Sequence, residues 1–276
     1  MPVSTSSFSR LSPRSRRKQL RRQDPTPATS AKNRVLPNVS RKSHPGCSSE
    51  VAIKRNSSTI ANGSCPSEGV DQFTMKFIEH ALAHRWCLGE GLEIGAAAHN
   101  PFGLRSRNVA LREAFYEQAQ IDMCGEVAPI DIEASADEIP LDGGSQDFII
   151  SSHVVEHLPN PVRAFLEWNR LLRPGGICFI IHPLPSAFPG DESRPLTTTE
   201  HYLEDFDKAH DRSTHPLEGV NGGVGGHYHV ASAESLDQLV HALNARALLA
   251  WERVDMEAVD TKVGNGFTLV YRKAPG

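Results

Sequence analysis

Short apolar runs alternate with segments of helical spacing through the middle of the chain. The run 145–152 (SQDFIISS) predicts a strand bounded by polar residues, and 177–183 (ICFIIHP) predicts a fully apolar one. Weaker strands are predicted at 91–96, 108–111 and 127–132. Because unbroken apolar strands are typical of parallel sheets covered on both faces, the alternation predicts βαβ units and an α/β fold.

Helices are signalled by apolar spacing and by capping residues. Asn160 is a predicted N-cap, Pro161 suits the first helical position, and Pro174 with two following glycines ends the segment. Ser232 is predicted to cap a later helix, and Asp71 an early one. Helical character is also predicted in 111–123. The inward positions of the later helix are Leu236, Leu239, Val240 and Leu243. Two β-like runs, 247–259 and 266–273, close the chain.

The first part of the chain differs in composition from the rest. Residues 1–70 hold 13 of the 29 Lys and Arg but only 3 of the 33 Asp and Glu, a balance of +10 against −14 for the remainder. This Ser-, Arg- and Pro-rich stretch is poor in large apolar residues, so residues 1–69 are predicted to be a disordered basic tail. A solvated extension, an organelle transit peptide and a tether to nucleic acid or an acidic surface all fit this composition.

Order is predicted from residue 70, so that 70–276 form one domain. Within it, 184–230 lack strong periodicity and are rich in His, Pro and Gly, which predicts a cap insertion. No apolar run reaches the ~18 residues of a membrane span, and five cysteines without a Cys-x-x-Cys spacing favour a reducing, cytoplasmic setting.

Three motifs stand in order: GLEIGAAAHNP, then EASADEIPLDGGSQDFIISSHVVEHL, then EWNRLLRPGG. Together they resemble the class I S-adenosylmethionine-dependent methyltransferases, of the type 11, small-molecule methyltransferase-like kind. The resemblance implies a Rossmann-like, doubly wound, mostly parallel seven-stranded sheet with an antiparallel last strand. It also implies S-adenosyl-L-methionine as cofactor.

The resemblance carries predicted cofactor contacts onto this chain residue by residue. They are Glu93, Gly95, Ala96, Asp131, Ser135, Ala136, Ser151 and Ser152. The chain departs from the family at three places: the first loop has one glycine, Ala110 stands where an acid usually meets the ribose, and Ser135 replaces an aspartate. Glu113 and Asp131 are the alternatives for the missing acid.

His153 is the predicted base, with His229 of the cap as the second candidate. His153 follows the fourth strand, and a hydroxyl nucleophile benefits from a proton acceptor. His157, one helical turn away, is interpreted as structural. The histidines between 182 and 229 are interpreted as scattered surface residues of a polar cap, although 227–229 (HYH) would place two imidazoles on one side of an extended segment. No carboxylate or cysteine stands at a diagnostic spacing, so no metal site is predicted.

The predicted function is methyl transfer to oxygen or nitrogen of a small molecule or glycan-type acceptor. One alternative is a non-catalytic S-adenosylmethionine-binding or scaffold protein with a degenerate site. Another is a nucleic-acid methyltransferase that uses the basic tail. This last alternative is disfavoured because such enzymes usually carry an Asn-Pro-Pro-Tyr-like or Pro-Cys motif where this chain has SSHV. The sequence leaves the oligomeric state open.

Overall fold

A computed structural model describes residues 80–216 and 226–275. The tail predicted at 1–69 and the predicted N-cap Asp71 lie outside these residues. None of the helices in the described ranges is both long and apolar enough to cross a membrane.

Seven strands form one sheet in the order β3-β2-β1-β4-β5-β7-β6. Neighbours among β1 to β5 are parallel, whereas β7 runs antiparallel to both β5 and β6. The strands are β1 Gly91–Ile94, β2 Ser106–Ala110, β3 Ile132–Glu133, β4 Gln146–Ser152, β5 Leu172–Pro183, β6 Trp251–Glu257 and β7 Gly266–Lys273. The doubly wound α/β sheet with an antiparallel last strand is therefore confirmed.

Within the described residues, five helices accompany the sheet, with a short 3-10 turn after β4. The helices are α1 Ala81–Trp86, α2 Ala114–Cys124, α3 Pro161–Leu171, α4 Thr199–Asp207 and α5 Ala233–Ala245, and the turn is Val155–His157. The Asn160 side chain accepts a hydrogen bond from Arg163 N, and Ser232 forms a capping box with Ser235, so both predicted N-caps are confirmed.

Apolar side chains cover both faces of the sheet, as the unbroken strands predict. In β4, Ile149 packs into the layer beneath α3 and α5, whereas Phe148 and Ile150 pack into the layer beneath α1. This alternation follows from the two-residue period of a strand. The four predicted inward positions of α5 are all buried in the first layer.

Two predicted boundaries change. The strand predicted at 127–132 is wrong for most of its length, since only Ile132 and Glu133 pair with β2. Pro129 lacks an N–H to donate, and Val127 is exposed at this edge of the sheet. The helix predicted to reach Pro174 ends at Leu171, because Leu172 already pairs in β5.

Helix α4 lies inside the cap insertion, where no helix is predicted. Thr198 caps it by accepting a hydrogen bond from His201 N. It buries only Tyr202 and Asp205, and one of these is charged, so hydrophobic periodicity does not reveal it.

Candidate functional site

A cavity of about 960 Å³ opens at the carboxyl ends of β1, β2 and β4. In open α/β sheets ligands bind beyond these ends, near the point where strand order reverses. The wall comes from the loop after β1, one side of α2, the segment after β4 and parts of the cap. This volume lies at the upper end of the roughly 300–1,000 Å³ of small-molecule sites, so a cofactor and a small acceptor can share it.

Gly95 brings the main chain to the cavity where β1 ends. Its φ of +68° is a left-handed conformation, and a Cβ added there would lie 2.9 Å from Val154 Cγ2. The main chain of the next residue is held by β2, because Ala96 N donates a hydrogen bond to Asn108 Oδ1 at 3.0 Å. Asn108 Nδ2 also donates to the Pro129 carbonyl, so this buried amide, which sequence reasoning missed, ties the β1 loop to the approach to β3.

Six of the nine predicted site residues line the cavity: Gly95, Ala96, Ser135, Ala136, Ser152 and His153. The Ser152 hydroxyl is buried and has no hydrogen-bond partner among the described residues. Ser135 donates to Asp137, and the Ala136 carbonyl accepts a hydrogen bond from Trp168 Nε1 at 2.9 Å. The predicted adenine-side turn is therefore held by its own acid and by α3.

The other three predicted residues lie behind the cavity wall. The Glu93 carboxylate accepts a hydrogen bond from Ser106, and burial raises its pKa. Asp131 accepts a hydrogen bond from Asn108 N at 2.8 Å, and Ser151 is fully buried within β4. Contact of these three side chains with a cofactor stays a prediction.

Of the two alternatives for the ribose-binding acid, the structure brings Glu113 to the cavity. One carboxylate oxygen, Oε1, pairs with Arg212 at 2.9 Å. The other, Oε2, is buried without a hydrogen-bond partner among the described residues, although Glu113 lines the cavity. A buried acceptor left unpaired costs about 1–3 kcal/mol, and ligand hydroxyls would satisfy it. A ribose-bearing cofactor therefore fits this wall.

A group of histidines around one glutamate also lines the cavity. His153 has a φ of +54°, an unusual conformation for a non-glycine residue, and its Nδ1 lies 3.7 Å from Glu156 Oε1. His157 Nε2 lies 3.8 Å from the same oxygen, and His227 Nδ1 is hydrogen-bonded to Asp191. His157 lines the cavity, although it is interpreted as structural from the sequence.

Burial shifts the pKa values of Glu156, His157 and His153. Glu156 is 0% exposed, and neither of its carboxylate oxygens has a hydrogen-bond partner among the described residues. Burial raises the pKa of Glu156 to about 8 and lowers that of His157 to about 4. Burial also lowers the pKa of His153, so its imidazole is neutral near pH 7 and able to accept a proton.

The Glu156→Gln variant should gain stability relative to the native protein as pH rises. The pKa of Glu156 is about 8 when folded and about 4.5 when unfolded. Its contribution is therefore fully present below pH 4.5 and is lost as pH rises through 8. Urea unfolding measures the free energy of unfolding of the variant and of the native protein at each pH. The difference between the two should widen toward pH 8 by on the order of a few kcal/mol.

The exposed Glu252→Gln is the matched control and should show no such widening. The titratable groups around Glu156 are His153, His157, His227, Asp191, Tyr116 and Tyr202. A gap that is constant with pH would contradict the assignment of a protonated Glu156 in the folded protein.

The interpretation of the cap histidines as surface residues is wrong for His182, His215, His227 and His229, which are all buried. The two imidazoles of HYH do not form a pair either. His227 meets Asp191 and His157, whereas His229 packs against Tyr202. The histidines of the cap instead divide between two clusters that also contain acids.

Residues 87–180 match the family model described as a methyltransferase domain. This part of the chain is therefore similar to the methyltransferase domains of that family. Among curated proteins, an uncharacterized methyltransferase from Mycobacterium sp. (strain KMS) is 37% identical over 72 residues, which cover 26% of this chain and 27% of the relative. The chain thus matches about a quarter of the length of such relatives.

Two solved structures are similar to this chain. One is a SAM-dependent methyltransferase from Methanosarcina mazei, 15% identical, which covers 72% of this chain and 100% of the other with a TM-score of 0.42. Another is a SAM-dependent methyltransferase from Thermotoga maritima, 18% identical, which covers 70% of this chain and 91% of the other with a TM-score of 0.40. S-adenosylmethionine is the cofactor of the family.

Proposed function

We propose that this protein transfers a methyl group from S-adenosylmethionine to an oxygen or nitrogen of a small-molecule or glycan-type acceptor. The observation that carries the proposal is that two groups of residues line one cavity. One group has the Gly95 turn and a Glu113 oxygen without a hydrogen-bond partner among the described residues, and the other has neutral His153 beside Glu156.

The first group of lining residues suits the cofactor. The Gly95–Ala96 main chain would lie against its methionyl part, and Glu113 Oε2 would accept hydrogen bonds from the ribose hydroxyls. The Ser135–Ala136 turn, held by Trp168, would bound the adenine. When bound, the cofactor supplies a methyl group activated by its sulfonium; the protein supplies alignment and a dry setting.

The second group of lining residues suits an acceptor that carries a proton on its oxygen or nitrogen. As the acceptor oxygen or nitrogen forms its bond to the methyl carbon, the carbon–sulfur bond breaks and the acceptor must release a proton. The His153 imidazole would take it, and the dipole of the protonated Glu156 carboxyl group, 3.7 Å away, would help to stabilise the resulting imidazolium. The strained backbone of His153 is consistent with such a role, because strain of this kind clusters at active sites.

A cap residue adds an aromatic surface to the acceptor group. Phe188 lines the cavity and packs edge-on against His227 with ring centroids 4.7 Å apart. An aromatic surface next to several hydrogen-bonding groups suits a compact polar acceptor such as a sugar or a small hydroxylated molecule.

Calorimetric titration of the full chain with S-adenosylhomocysteine tests the cofactor half of the proposal. Micromolar binding is expected, and absence of binding at millimolar concentration would contradict it. The acceptor half of the proposal is tested by the transfer of an isotope-labelled methyl group from the cofactor to mixtures of small molecules that bear hydroxyl or amine groups. Binding of the cofactor without transfer to either class would favour the non-catalytic alternative.

His153→Gln should lower kcat by about 10²–10⁴-fold, the usual contribution of a general base, while S-adenosylhomocysteine affinity stays within about twofold. Gln preserves hydrogen bonding but cannot take the proton at neutral pH. His84→Gln, at an exposed position of α1, is the control and should retain turnover. A parallel loss of kcat and cofactor affinity in His153→Gln would assign the residue to cofactor binding instead.

A further inference from the structure

Four histidines surround one buried carboxylate in the cap, and none of them is given a role in the proposed reaction. Three Nε2 atoms approach Asp205 Oδ2: His215 at 3.3 Å, His201 at 3.4 Å and His229 at 3.7 Å. His210 Nδ1 lies 2.9 Å from the other oxygen, Oδ1. Such a concentration of imidazoles on one carboxylate oxygen is unusual for a set of ordinary hydrogen bonds.

The spacing of these atoms matches a metal coordination shell. All four donor atoms, one carboxylate oxygen and three imidazole nitrogens, lie within 4.8 Å of one another. With metal–ligand distances of about 2.0–2.1 Å, the corners of a tetrahedral zinc site lie about 3.3–3.4 Å apart. The distances from Asp205 Oδ2 to His215 and His201 fall in this range, and the His229 distance exceeds it by only a few tenths of an ångström.

Two of the nitrogens are buried without another use. His229 is 0% exposed, and its Nε2 has no hydrogen-bond partner among the residues that the structure describes. His201 Nε2 is also buried and has no hydrogen-bond partner among these residues, although the rest of the His201 side chain forms the outer edge of the cluster. Buried polar atoms are nearly always satisfied, so these two point to a ligand between them.

The carboxylate is also held in the orientation that a ligand needs. The hydrogen bond to His210 occupies Oδ1 and leaves Oδ2 for the centre of the cluster. Asn160 Nδ2 donates to the Asp205 main-chain carbonyl at 2.7 Å, which connects this turn of α4 to the N-cap of α3. Partners of this kind, which orient the ligands from outside, are typical of metal sites in proteins.

We propose that His201, Asp205, His215 and His229 bind one Zn²⁺ ion. Three imidazoles and one monodentate carboxylate form a donor set that zinc prefers in tetrahedral geometry. Four protein ligands leave no open position, so the ion has a structural role. It joins α4, the turn that contains His215 and the segment that leads into α5, and thereby fixes the cap wall of the cavity.

A second cluster, Glu156 with His157 and His227, offers an internal comparison. Its ligand atoms also lie within 4.8 Å of one another, but it supplies three donors instead of four. It faces the cavity and belongs to the proposed reaction site. The two clusters share no residue, so variants of one leave the ligands of the other in place.

The test uses the purified full chain, freed of metal with a chelator and then titrated with Zn²⁺ alone. One ion should bind per chain, and the melting temperature should rise with zinc concentration because the ion binds only the folded state. Co²⁺ in place of zinc should give the strong visible absorption of a tetrahedral complex.

Two variants locate the ion. His215→Ala should abolish the cobalt spectrum and weaken zinc binding by about 100-fold or more. His201→Gln removes a ligand at the accessible edge of the cluster, so it reports on binding if His215→Ala does not fold. His241→Ala, at an exposed position of α5, is the matched control and should bind zinc as the native chain does.

Absence of stoichiometric zinc binding to the native chain would overturn the proposal. Loss of binding in His157→Gln with retention in His201→Gln would also overturn it, because the ion would then occupy the Glu156 cluster. S-adenosylhomocysteine binding, measured on each sample, reports separately on the proposed methyltransferase site.

Discussion

Replacing Gly95 with valine should raise the dissociation constant for S-adenosylhomocysteine by about 100-fold or more. The glycine φ of +68° disfavours any side chain, and a Cβ would already lie 2.9 Å from Val154 Cγ2. The two valine methyl groups would extend from this crowded turn at the cavity wall, where the cofactor is proposed to meet the main chain. Calorimetric titration measures the change.

Gly144→Val separates backbone strain from the loss of the binding surface. Gly144 has nearly the same φ, +67°, but a Cβ there would meet nothing within 4 Å, and it does not line the cavity. Both variants should therefore lose similar backbone stability, whereas only Gly95→Val should lose the ligand. Equal affinities in the two variants would show that the β1 turn does not contact the cofactor.

Trp168→Ala should lower the free energy of unfolding by about 3–5 kcal/mol, the largest stability effect expected here. The side chain lies on the buried face of α3, packs against Phe165, and donates a hydrogen bond from Nε1 to the Ala136 carbonyl at 2.9 Å. Its removal leaves a cavity in the core and an unpaired carbonyl. Urea unfolding followed by circular dichroism measures the change.

Two further variants separate the contribution of the Trp168 hydrogen bond from that of its apolar contacts, and the effect of a buried tryptophan from that of a half-buried one. Trp168→Phe keeps most of the apolar contact but removes the N–H, so it should cost about 1–2 kcal/mol and loosen the turn that bounds the adenine. Trp86→Ala removes the same side chain from a half-buried position on α1 and should cost clearly less than Trp168→Ala. Equal losses at Trp168 and Trp86 would contradict the assigned core.

Local signals in the sequence were sufficient for the elements that pack most deeply. The apolar runs of β4 and β5, the Asn160-Pro161 start of α3 and the Ser232 cap of α5 all carry their information within a few residues. Elements stabilised by few or polar contacts were not predictable in the same way. Strand β3 is a two-residue edge strand, and α4 buries a tyrosine and an aspartate.

Within the site, the sequence placed the loops but not the directions of the side chains. Gly95, Ser152 and His153 follow strand ends and line the cavity, as their position predicts. Glu93 alternates with Leu92 and Ile94, whose side chains pack in the layer beneath α3, and it does not line the cavity. Glu113 against Asp131 was open in the sequence, because both follow the second strand and only their contacts distinguish them.

The sequence by itself determined the α/β class, the positions of the main strands and helices, and the motifs that resemble methyltransferases, since each depends on short-range patterns. Only the tertiary structure decided which histidines are buried and which acids they meet. His201, Asp205, His215 and His229 span 29 residues without a diagnostic spacing, yet their donor atoms lie within 4.8 Å. Their proximity depends on how α4, the following turn and the start of α5 pack together, a long-range consequence of core burial that no local pattern encodes.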